Sequence, residues 1–86
     1  MITVKDFLKK LHPFCEPVVY IINDDCRILA TFTNIQPNGE YNENYRKECV
    51  LAFGDYEICD NGIEMGVDSD NDLYLDIRVK TLDKSE

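Results

Sequence analysis

In the second half of this chain apolar and acidic residues take turns. Tyr56 and Ile58, then Ile63, Met65 and Val67, then Leu73, Leu75, Ile77 and Val79 fall at alternate positions, with carboxylates between and around them. A period of two sends the apolar side chains to one face of a sheet and the polar ones to the other. The pattern predicts strand over residues 56–67, either as one interrupted strand or as two, and over residues 73–80. In the second of these Leu73, Leu75, Ile77 and Val79 point inward, and Tyr74, Asp76, Arg78 and Lys80 outward. Asp60-Asn61-Gly62 carries the Asn-Gly hairpin cue, and the Asp-rich run 68–72 makes the next turn. Residues 48–53 read as an earlier strand that turns at Gly54-Asp55.

The first half has a different rhythm. Val4, Phe7, Leu8 and Leu11 are spaced as i, i+3, i+4 and i+7, the stripe of an amphipathic helix over residues 3–11. Thr3 is its cap, with Asp6 completing a variant capping box, and Ile2 and Phe7 form a hydrophobic staple. Lys9 and Lys10 suit the dipole of the last turn, and Pro13 stops the helix. Two nearly continuous apolar runs follow, at 18–22 and 26–33, joined by Asn23-Asp24-Asp25. Runs of that kind are expected of strands covered on both faces, so they predict a central hairpin with the helix over one side. Residues 34–46 form a loop around Gln36-Pro37-Asn38-Gly39. Its Tyr41 and Tyr45 either contact a partner or fold back on the core edge. Residues 81–86 read as a polar tail.

These elements predict an α+β fold in one domain, residues 1–86: a short N-terminal amphipathic helix packed on a four- to five-stranded antiparallel sheet. A chain of 86 residues buries about 60–65% of its unfolded surface, enough for one core.

Charge changes the picture most. From Glu48 to Ile77 there are nine acids and no Lys, Arg or His. The net charge of −8 opposes direct binding of nucleic acid or of an anionic membrane surface, and favours a basic protein surface as partner. Solvated strand faces mix signs, because like charges opposite one another destabilise a sheet. The candidate partner-binding residues are therefore Asp55, Glu57, Asp60, Glu64, Asp68, Asp70, Asp72, Tyr74 and Asp76. The alternative is that these acids serve solubility only.

No motif for catalysis stands out. Asp68, Asp70 and Asp72 give D-x-D-x-D, but the calcium loop that begins this way requires Gly and Glu where Leu73 and Val79 stand. A solvated turn accounts for them. His12 and Cys15 lack the close Cys pair of a structural zinc site, and nothing orients His12 beside a thiol as nucleophile. No metal, cofactor or enzymatic activity is expected. Cys15, Cys26, Cys49 and Cys59 read as reduced, mostly buried thiols, with Cys59 the most exposed. Lys5, Asp6, Lys9 and Lys10 break up any secretory apolar region, and no run reaches membrane-spanning length, so a cytoplasmic setting is expected.

Thr3-Val4-Lys5-Asp6-Phe7-Leu8, the hairpin after Pro17 and the Glu48-Cys49-Val50 strand entry resemble small phage, prophage and mobile-element proteins with a helix followed by an antiparallel sheet. The resemblance implies a bacterial host cell. Joined to the acidic face, it leads to an expected function: a non-enzymatic protein-binding module, an anti-CRISPR-like inhibitor that mimics nucleic acid on a bacterial nucleic-acid-binding enzyme. The alternative is an accessory or self-associating protein of a phage or mobile element, such as a homodimer joined at a sheet edge.

Overall fold

The computed structural model describes residues 2–12 and 15–80. Pro13 and the tail expected over 81–86 lie outside them. Two helices, α1 (Val4–Lys10) and α2 (Tyr45–Phe53), accompany four strands: β1 (Val18–Ile22), β2 (Ile28–Phe32), β3 (Ile58–Val67) and β4 (Leu73–Val79). The strand order is β2-β1-β4-β3.

The α+β class and the N-terminal helix are as expected. At α1 the Thr3 hydroxyl accepts from the Asp6 amide at 3.3 Å. The Asp6 carboxyl is held below its usual range by hydrogen bonds from the Thr3 side chain and backbone. That is the reciprocal arrangement of a capping box.

The sheet departs from expectation. It is mixed, because β1 and β4 run parallel, with Val19 beside Leu75 and Ile21 beside Ile77. The hairpin β1–β2 and the pair β3–β4 are antiparallel. Reading successive strands as neighbours finds the local pairs and misses the one between distant segments, which sequence proximity does not signal.

Residues 48–53 are not a strand but the body of α2. Tyr45 and Cys49 are buried one turn apart, with Val50 and Phe53 packed against the core. Their spacing is helical. The apolar density of Cys49–Phe53 hides that period, since Val50, Leu51 and Ala52 follow without a polar break. Starting the helix at Tyr45 also shortens the loop. The Tyr45 hydroxyl, itself buried, donates to the Pro17 carbonyl at 2.9 Å, whereas Tyr41 is exposed and donates to Glu16 at 2.5 Å.

One cluster forms the core: Val4 and Leu8 of α1, Tyr45 and Cys49 of α2, Val19 and Ile21 of β1, Ile58 of β3, and Leu75, Ile77 and Val79 of β4. Phe53 joins α2 to β2 and to the turn before β3, edge-on to Phe32 and tilted against Tyr56. Both helices thus share one side of the sheet. The continuous apolar runs do not mark strands covered on both faces. In β1, Val19 and Ile21 are buried while Val18, Tyr20 and Ile22 are half-buried, and β2 is an edge strand with Ile28 and Leu29 exposed.

β3 is one strand with an irregularity. Ile58 pairs with Val79, and the next pair is Ile63 with Ile77. Asn61 has a positive φ of 56°. A Cβ on Gly62 would meet the carbonyls of Arg78 and Cys59 at 2.7 Å. Asn-Gly therefore shapes a bulge here, in place of the hairpin its dipeptide predicts.

Candidate functional site

Alternation along β4 sends Leu75, Ile77 and Val79 under the helices and Tyr74, Asp76 and Arg78 to the opposite face. No helix covers that opposite face among the described residues, and its central side chains are half-buried only by their neighbours. There Glu64 of β3 stands directly across from Asp76. The Asp76 carboxyl is pushed above its usual range, first by partial burial and then by the Glu64 charge. Two residues along, Gly66 faces Tyr74. The Tyr74 ring lies over this glycine, since a Cβ at position 66 would approach its hydroxyl at 2.8 Å. Glu64, partial burial and the charges of Asp76 and Asp68 raise the Tyr74 hydroxyl.

The turn beside this cluster is built by Asp68. Its Oδ1 accepts from the Asp70 amide at 2.9 Å and from the Asp72 amide at 3.0 Å. Asn71 takes a positive φ of 67° to close the turn. Asp68 is thus engaged in local structure, while Asp70 and Asp72 are exposed on the same end of the sheet.

The structure divides the predicted acids. Glu64, Tyr74 and Asp76 come together, with Asp68 near enough for its charge to act on the Tyr74 hydroxyl. Asp70 and Asp72 share the Asp68 turn, and Asp72 lines a separate concavity with Glu16, Thr33 and Leu73. Asp55 does not join them: it lies in the turn after α2, 3.7 Å from the Lys5 ammonium of α1. Glu57 is also elsewhere, 2.8 Å from Lys80, whose pKa it raises. Asp60 sits with Glu57 along the bulge. Glu48 is on α2 and accepts from Asn42 at 3.2 Å. The acids therefore do not make one continuous face. The Lys5 and Lys80 pairs are the ion pairs among the described residues, and neither reaches the Glu64–Asp76 cluster.

Arg78 is the only base within the four strands and lines a shallow concavity with Glu64 and Asp76. It reduces the negative charge of the cluster without cancelling it. Gly66 is the residue that sequence reasoning missed. A lone glycine within an alternating strand was the available signal for a close approach by a large neighbour.

The thiols offer little chemistry. Burial pushes Cys49 up to about 12, which suppresses the reactive thiolate at neutral pH. Cys26, in the turn before β2, is the exposed thiol, and Cys59 is half-buried, reversing the expectation for Cys59. The cysteines are also not mostly buried, since Cys49 alone is. The Cys15 amide donates to the His12 carbonyl at 3.0 Å. Among the described residues no three His, Cys, Asp or Glu side chains are grouped to hold a metal ion. Nor is any helix long and apolar enough to cross a membrane.

Comparison of the chain with models of protein families, with curated proteins and with solved structures finds no match.

Proposed function

We propose that this chain is a non-enzymatic protein-binding module of a bacterial cytoplasm, and that its open sheet face docks on a basic surface of a larger protein. The observation that supports this most is the opposed pair Glu64 and Asp76 on an uncovered face, with Tyr74 beside it. Like charges directly opposite one another destabilise a sheet by about 0.2–1 kcal/mol. A pair retained at that cost, with no cation within ion-pair distance among the described residues, gains stability when a partner supplies one. Tyr74 adds a rigid aromatic contact at the centre of the patch. In its concrete form the module is a phage or mobile-element inhibitor of a nucleic-acid-binding enzyme, anti-CRISPR-like, with carboxylates at Glu64, Asp70, Asp72 and Asp76 standing where phosphates bind.

Binding of this kind is fast and salt-sensitive. The test is capture of partners from a bacterial lysate at low and at high salt, using the native chain, a Glu64→Lys/Asp70→Lys/Asp72→Lys variant and an Asp55→Lys control. Asp68 is left intact because it holds its turn. One captured protein should be lost in salt and lost with the triple variant but kept by the control. Capture that the triple variant leaves unchanged refutes it.

A second reading, self-association as an accessory protein, is favoured by the other side of β3. Ile63, Met65 and Val67 are 36%, 43% and 58% exposed along a ten-residue edge strand. An open edge with an apolar stripe invites strand pairing. Sedimentation in the same salt series separates the two readings, since a dimer that persists in high salt supports this one.

A further inference from the structure

The helix layer carries the opposite charge from the open face. Between α1 and α2 runs a groove of about 420 Å³, with Leu8 and Val50 at its base, Leu51 on its rim, and Lys5, Lys9, Lys47 and Arg46 flanking it. Four of the nine Lys and Arg residues of a chain with net charge −8 are gathered here, and no carboxylate lines the groove. Leu51 is 88% exposed. The cations are not equally free. Arg46 donates to the carbonyls of Leu11, His12 and Cys15, and so holds the end of α1. Lys5 faces Asp55 at 3.7 Å, in a pair whose carboxylate is almost fully exposed. A long, solvated pair of that kind exchanges partners at little cost. Neither Lys9 nor Lys47 takes part in a described ion pair.

We propose that this groove binds an acidic amphipathic helix of a partner protein. Its apolar side chains would cover Leu8, Val50 and Leu51, and its carboxylates would reach Lys5, Lys9 and Lys47. Two adjacent helices with an apolar floor present the groove into which a third helix packs. Lysine stems extend that floor while their ammonium groups stay in water. Charge complementarity selects an acidic occupant. The net charge of the chain opposes a nucleic-acid backbone at long range, whereas a short segment with a few carboxylates meets the local cations. A second copy of the chain is a poor occupant, since its own helices carry Lys5, Lys9, Lys10, Arg46 and Lys47. The groove shares no residue with the Glu64–Asp76 face.

The probe is a synthetic helical peptide with leucines at i, i+3, i+4 and i+7 and glutamates elsewhere, titrated into isotopically labelled full chain and followed by NMR. Saturable shifts are expected at the Leu8, Val50 and Leu51 methyls. Lys9→Glu/Lys47→Glu should weaken binding about tenfold or more, and Leu51→Asp should abolish it. Glu64→Lys should leave it unchanged, so that failure here and failure of the proposed function are read separately. The three groove residues changed are exposed, and an otherwise native spectrum verifies the fold of each variant. Any of four results overturns the proposal: no saturable shift at those methyls, affinity indifferent to the groove variants, equal binding of a scrambled peptide without an apolar face, or the same shifts produced by inorganic phosphate or anionic lipid vesicles.

Discussion

Leu75 and Asp76 are consecutive on β4, yet one is closed off in the core and the other faces Glu64 on an open surface. Packing decides what is tolerated at Leu75, where every atom removed leaves a void. Electrostatics decides at Asp76, where the local arrangement opposes the charge the residue carries. A single strand thus holds a position that stabilises the fold next to one that strains it. The contrast extends to the molecule, because bases line the groove of the helix layer and acids cluster on the far face of the sheet.

The largest effect should come from the covered side. Leu75→Ala removes a fully buried side chain and should cost about 2–5 kcal/mol, a large part of the stability of a domain this size. Urea denaturation measures it, and a loss below about 1 kcal/mol would mean the core is not continuous around β4. Next is Arg46→Ala, which strips the carbonyls of Leu11, His12 and Cys15 of a shared donor. It should cost about 2 kcal/mol, and Arg46→Lys should recover only part, because one ammonium cannot reproduce the planar fork.

The smallest effect has the opposite sign. Glu64→Gln should stabilise the fold by a few tenths to about 1 kcal/mol at neutral pH by removing the like-charge pair with Asp76. The folded pKa of Asp76 is raised, so its contribution is fully present below the unfolded carboxyl range and is lost as pH rises through the raised folded value. The native chain should therefore lose stability across that acid-side window more than Glu64→Gln does. The two should converge in acid, and their gap at neutral pH should shrink in salt. Thermal melts of both chains at several pH values check the sign, and a Glu64→Gln melting temperature below the native one at neutral pH would show the pair is not repulsive.

What could be read in advance follows the range of the interaction responsible. The cap at Thr3 and Asp6, the strand β4 and the β1–β2 hairpin depend on residues a few positions apart, and their patterns were visible. The helix at Tyr45–Phe53 was obscured because apolar residues fill consecutive positions there, so period two and period 3.6 fit the same run. The parallel pairing of β1 with β4 leaves no local trace at all. The candidate site was legible as composition but not as placement. Glu64, Tyr74 and Asp76 follow from alternation, whereas the diversion of Asp55 to Lys5 and of Glu57 to Lys80 depends on how α1 and the end of β4 are set in space. The basic groove was hidden with α2, since four of its seven lining residues belong to that helix.

With β4 in the interior of the sheet, between β1 and β3, the order of synthesis and the order of assembly conflict. As the chain emerges from a ribosome, the hairpin and both helices appear before the strand that joins them, so the early segments hold Val19 and Ile21 without their lasting neighbours. Consolidation waits for residues near Val79, and cutting the chain before Leu73 would leave β3 with no strand beside it and β1 with only β2. The sheet closes only when β4 takes its place between β1 and β3.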